Sequence, residues 1–181
     1  MINFIDTSIY NLIFKMQSVS TTVFMQFISY LGSATILITI TLIILIVSKN
    51  KKAASKIAVN LTMVFLLNRL LKLLFRRERP AVLRLAEEKG FSFPSGHAMV
   101  AIGFYGYIIY LVYKYVKNKK ARNVIIALIG ALILLIGISR IYLGVHYATD
   151  IIGAYIIGLI YLYVFINNID KIYMRKNKGT K

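Results

Sequence analysis

The chain has 181 residues, 59% of them hydrophobic and only 16% charged, with a mean hydropathy of +0.71. A soluble domain carries about 45–50% apolar and about 25% charged residues, so this chain is short of polar surface for water, and it is too apolar to be disordered. Its net charge of +17, from 23 basic and 6 acidic residues, fits basic loops beside anionic lipid rather than nucleic acid, for which no fold is left once the apolar segments are assigned. Cysteine is absent, which removes disulfides, thiolate metal sites and a Cys nucleophile together.

The expected fold is an all-α membrane protein, five transmembrane helices preceded by an amphipathic N-terminal surface helix. Residues 1–17 form the surface helix, with Ile5, Ile9, Leu12, Ile13 and Met16 at helical spacing. No small-residue cleavage site follows it, so it does not read as a signal peptide. Residues 18–170 hold the spans. No charge occurs between Lys15 and Lys49, a stretch longer than one crossing needs, and span one is placed at 22–48 with room for a turn near Gly32-Ser33. Spans two to five are placed at 57–75, 94–113, 123–139 and 147–167, and residues 171–181 form a basic tail.

The basic residues orient these spans. Lys49, Lys51, Lys52 and Lys56 follow span one; Lys114, Lys117, Lys119, Lys120 and Arg122 follow span three; Lys171, Arg175, Lys176, Lys178 and Lys181 follow span five. That side, with the C-terminus, is expected to be cytoplasmic, which leaves loops 76–93 and 140–146 outside.

Three polar clusters then share the outer membrane face. Lys72 precedes Arg79-Pro80; Pro94-Ser95-Gly96-His97 opens span three; Ser139-Arg140, His146 and Asp150 bridge spans four and five. His146 and Asp150, four apart at a helix start, share one face, so the carboxylate can fix the imidazole tautomer and free the other nitrogen as base or nucleophile. The same pair also fits an ordinary polar helix start. Pro94 suits a first helical turn, where Ser95, Gly96 and His97 offer unpaired N–H groups to an anion; Ser92 is an alternative cap and Gly96 an alternative packing position. Lys72, Arg79 and Arg140 supply cations for phosphate oxygens. Arg76, Arg77, Arg84 and Lys89 read as side chains reaching for headgroups, and Arg69 is unassigned. Asp150 is the only acid in the clusters, too few carboxylates for Mg²⁺ or Ca²⁺, and the cations disfavour Zn²⁺ or Fe²⁺ on the two histidines, so no metal is expected.

Taken in order and spacing, these clusters resemble the signature of the type 2 phosphatidic acid phosphatase superfamily, over residues 72–150. The resemblance implies a bacterial plasma-membrane lipid phosphatase without cofactor, in which His146 becomes a phosphohistidine, Asp150 orients it and His97 protonates the leaving oxygen. Lys72, Arg79, Ser95, Gly96 and Arg140 would hold the phosphate. A neutral His146 and a charged His97 predict a bell-shaped pH–rate profile. The substrate would be a membrane lipid phosphate, first undecaprenyl diphosphate and alternatively phosphatidylglycerophosphate or phosphatidate; no obligatory protein partner is expected. Phosphotransfer to another acceptor would use the same residues. A non-enzymatic lipid-binding or transport protein is the contrasting class, against which stand the intact signature and the absence of sequence repeats.

Overall fold

The computed structural model describes residues 4–82 and 84–178, with side chains as far as Ile169. Among them are seven helices and no strand: α1 Phe4–Phe14, α2 Val19–Leu31, α3 Ala34–Val47, α4 Lys51–Phe75, α5 Gly96–Tyr115, α6 Lys119–Tyr142 and α7 Ala148–Lys178. Helices α4, α5, α6 and α7 (to Ile169) are each long and apolar enough to cross a bilayer, and α2 with α3, taken together as a bent pair, meets the same measure of length and composition. The side chains of the basic tail 171–181 lie outside the described residues.

Span one is two helices that meet at 47° rather than one rod from 22 to 48. The break has a local cause. Ser33 caps α3, its Oγ accepting from the Ile36 N–H, and a Cβ on Gly32 would lie 2.6 Å from Ile136 Cγ2. The chain approaches α6 there more closely than any side chain permits. The Leu31 carbonyl, left over at the end of α2, accepts from Tyr105 Oη on α5 at 2.8 Å, so the break costs no unpaired buried carbonyl.

The other helices extend past their apolar windows where a cap lets them. Asn50 Oδ1 accepts from the Ala53 N–H at 3.0 Å and Asn118 Oδ1 from the Ala121 N–H at 3.1 Å, which starts α4 and α6 several residues before the apolar runs. Span three begins later than placed: Pro94 stands before the helix, Ser95 is its N-cap and Gly96 its first residue.

Helix α5 packs against α4, α6 and α7. Every residue from Ala98 to Tyr105 is buried, the pattern of a helix apolar on all sides. Small side chains on this helix let its neighbours come close. A polar cross-link ties the interior: buried Asn60 donates to the Gly103 carbonyl at 2.7 Å, and Tyr161 donates to Asn60 Oδ1 at 2.9 Å. The outward faces stay apolar, with Leu66, Leu134, Ile156 and Ile160 each more than half exposed, which suits hydrocarbon. This is an integral membrane protein.

The alternating path brings the C-terminal ends of α4 and α6 to the N-terminal ends of α5 and α7, with α1 beside them. The basic loops lie at the other end, where Lys52, Lys56, Lys114 and Ile169 border one small cavity.

Candidate active site

Helix α7 has no capping residue of its own at Tyr147, so other side chains cover its first N–H groups. Asp150 Oδ2 reaches back to the Tyr147 N–H at 2.9 Å, half of a capping box. Asp6, from α1, accepts from the Thr149 N–H at 2.8 Å and from Thr149 Oγ1 at 2.9 Å. The first helix thus caps the last one across most of the chain.

The same carboxylates position His146. Its Nδ1 lies 3.4 Å from Asp150 Oδ2 and 3.3 Å from Ser92 Oγ. Its Nε2 lies 3.2 Å from Arg79 Nη1. A guanidinium only donates, so Nε2 accepts and the proton sits on Nδ1, toward Asp150. Asp150 is itself saturated: Ser92 Oγ donates to Oδ2 at 2.5 Å and Arg77 Nη1 donates to Oδ1 at 2.6 Å. Arg77 continues to Asp6 at 2.9 Å and lies over the Tyr147 ring, 4.1 Å from its centroid. Burial pushes the His146 imidazole down to about 3; the Asp150 hydrogen bond pulls against this, and Arg79 and Arg140 add to it. His146 is therefore neutral at working pH.

A cavity of about 330 Å³ opens beside this dyad, bordered by Lys72, Arg79, Gly96, His97 and His146, with Phe65, Asn68 and Arg69 of α4 along one wall. Residues from all three sequence clusters meet there. Lys72 Nζ donates to the Phe91 carbonyl at 2.5 Å and Arg79 donates to the carbonyls of Lys89, Gly90 and Val145, so both cations also brace loop 76–95. The Gly96 Cα faces Asn68: an added Cβ would lie 3.3 Å from its Oδ1. Ser95, Arg140 and Asp150 do not border the cavity. Ser95 Oγ is buried without a hydrogen-bond partner among the described residues, and the buried Arg140 guanidinium binds Ser29 Oγ and Glu88. Among the described residues no three His, Asp or Glu side chains gather as a metal site.

Residues 53–173 match the family model of the PAP2 superfamily. The chain belongs to the PAP2 superfamily. The phosphatidylglycerophosphatase B of Bacillus subtilis (strain 168) is 39% identical over 107 residues, 59% of this chain and 52% of the relative; the chain spans about half the length of that curated relative. A crystal structure of a transmembrane PAP2-type phosphatidylglycerolphosphate phosphatase from Bacillus subtilis superposes with a TM-score of 0.83 at 30% identity, covering 92% of this chain and 85% of that one. Aquifex aeolicus LpxE superposes with a TM-score of 0.70 at 25% identity, over 89% of this chain and 94% of its own.

At this site two side chains differ from their sequence reading, and two acids that had no role in that reading join the network. Arg77 does not reach for headgroups; it is bound between Asp6 and Asp150. Asp150 is not the only acid present, because Glu88 pairs with Arg140, lies 3.6 Å from Arg79 Nη2 and 3.7 Å from His97 Nδ1. Ser92 does not cap α5 but donates to Asp150. Asp6, outside the matched region, is buried at the same network. A signal for the acids was available: the chain has only 6 against 23 cations, and a lone Asp in an otherwise apolar surface helix needs a partner.

Proposed function

We propose that this chain is a membrane lipid phosphatase that removes a terminal phosphate through a phosphohistidine on His146, with its site on the extracytoplasmic side of a bacterial plasma membrane. The observation that carries the reading is one cavity bordered both by a neutral imidazole, His146, whose Nε2 accepts from Arg79, and by a second histidine, His97, in the first turn of α5.

The chemistry follows from the placements. The Nε2 lone pair of His146 attacks phosphorus while the bond to the lipid oxygen breaks, and His97 gives that oxygen its proton. The Nδ1 proton stays on the imidazole, which gains positive charge that Asp150 stabilises. Water then attacks the phosphohistidine, His97 takes a proton from it, and phosphate leaves with His146 restored. Lys72 and Arg79, with the Gly96 N–H at the first turn of α5, border the cavity and hold the equatorial oxygens, while Arg140 lies behind Glu88 and joins them when that carboxylate yields; positioning and electrostatics do most of the catalysis.

Arg77 binds Asp150 and is itself held by Asp6, so the two act as positioning residues for that carboxylate. Glu88 now holds donors that the phosphate needs, so it serves as an internal counterion that yields them to substrate. The names of the relatives move phosphatidylglycerophosphate ahead of undecaprenyl diphosphate as first choice of substrate. Placement supports a lipid: the cavity borders α4, whose neighbouring leucines face outward. The test is phosphate release by detergent-purified protein, with EDTA present, from phosphatidylglycerophosphate and undecaprenyl diphosphate in parallel. Release that His146→Ala abolishes supports the reading; a folded protein releasing phosphate from neither lipid, nor from phosphatidate, overturns it.

A further inference from the structure

Most cations at the site are occupied; the exceptions among the described residues are Lys89, on the exposed loop side, and Arg69, on the α4 wall. Arg77 is bound to Asp6 and Asp150, Arg79 to loop carbonyls, Arg140 to Glu88 and Ser29, and Lys72 to the Phe91 carbonyl. Arg69 borders the same cavity, yet makes no hydrogen bond or ion pair with any described residue. A guanidinium inside a membrane-spanning helix is costly and calls for an anionic partner.

Its position indicates which anion. Phe65, Arg69 and Lys72 lie on one face of α4 and all three border the cavity. Arg69 stands about 4.5 Å along the axis from Lys72, and Phe65 about 6 Å beyond, both away from the end where the histidines lie. Leu66 and Leu70, at 60% and 64% exposure, flank this face. A lipid whose terminal phosphate sits at Lys72 and His146 has its tails toward Phe65. Whatever lies between phosphate and tails passes Arg69.

We infer that Arg69 binds a second phosphate of the substrate, one placed between the phosphate that is removed and the lipid tails. The inference rests on the lipid phosphatase reading and sharpens it: the enzyme selects lipids with two phosphate groups, either a lipid diphosphate or a phosphomonoester joined through a phosphodiester, over lipids with one. The Arg fork matches two oxygens of such a group.

The test measures kcat/KM of the purified full chain in detergent micelles on three lipids with identical acyl chains: phosphatidylglycerophosphate, diacylglycerol diphosphate and phosphatidate. Arg69→Gln is expected to lose roughly ten- to hundred-fold on a two-phosphate lipid, the usual range for a charge-assisted hydrogen bond, and less than about threefold on phosphatidate. Arg69→Lys should restore part of the loss. Lys89→Gln, which removes a cavity cation on the loop side, should lower all three alike. Selective loss on either two-phosphate lipid supports the subsite, and which lipid responds reports the spacing. Equal losses on all three with Arg69→Gln, or no loss on any, overturn it. A parent protein that hydrolyses none of the three overturns the phosphatase reading instead.

Discussion

Replacing Asp6 by Asn tests whether the N-terminal helix only rests on the membrane or also sets the geometry of the His146–Asp150 pair. Asp6 is 2% exposed and accepts from the Thr149 N–H, Thr149 Oγ1 and Arg77 Nη2 at 2.8–2.9 Å. Asn keeps the shape and one acceptor, but its amide NH₂ then meets donors. Losing one charge-assisted hydrogen bond in a buried setting costs about 1.5–3 kcal/mol, and Arg77, with its side chain 28% exposed, recovers some of that from water. The expected stability loss is therefore about 1–3 kcal/mol. Catalysis should suffer separately. Arg77 Nη1 holds Asp150 Oδ1 at 2.6 Å, so a released Arg77 shifts the carboxylate that orients His146. Misplacement on the order of 1 Å costs roughly 10²-fold; kcat should fall roughly ten- to hundred-fold with KM changed less than about threefold. The assay is phosphate release over a range of substrate mole fractions, combined with thermal unfolding, for Asp6→Asn, Arg77→Met and the double variant. If both act through Asp150, their effects on kcat are strongly non-additive. An Asp6→Asn protein that loses thermal stability but keeps the parental kcat would refute the positioning role, and so would simple additivity.

Other outcomes follow from the same geometry. His146→Ala should abolish turnover while orthovanadate still binds the remaining cations, and His97→Ala should lose roughly 10²–10⁴-fold on a poor leaving group; near-parental activity of His146→Ala would reject the phosphohistidine. Glu88→Gln should bind orthovanadate several-fold more tightly, because a competing carboxylate is gone, yet turn over more slowly because His97 loses an acid partner; unchanged inhibition would mean that Glu88 does not contest the phosphate position. The depressed His146 pKa makes the unfolded chain bind a proton that the folded chain refuses between about pH 6.5 and 3. Folded stability should thus decline toward low pH across that window, by at most about 1.4 kcal/mol per pH unit from this group. Melting curves of parent and His146→Gln from pH 7 to 4 check this: the variant should lose less on acidification, and parallel curves would contradict the buried neutral imidazole.

Much of this protein was legible in its sequence for a physical reason. Membrane spans are local: an apolar run of sufficient length needs no knowledge of its neighbours, and an even number of crossings between two polar clusters, or a tight loop, places them at the same end. That logic brings Lys72, Arg79, His97 and His146 to one cavity before any coordinates exist. Helix ends were less legible, since Asn50 and Asn118 extend α4 and α6 through caps that lie in charged, not apolar, sequence. The broken first crossing was anticipated only as a possible turn, because what requires Gly32 is the side chain of Ile136, a contact between distant parts of the chain.

The tertiary structure decided how the charges pair. Twenty-three cations and six acids permit many pairings, and nothing periodic selects Arg77 for Asp6, 71 residues away, or Glu88 for Arg140, 52 residues away. Composition and local pattern state which helices form and which ends they present to water. Which carboxylate meets which guanidinium depends on how those ends pack, and that packing places Asp6 and Ser92 on the network that holds His146.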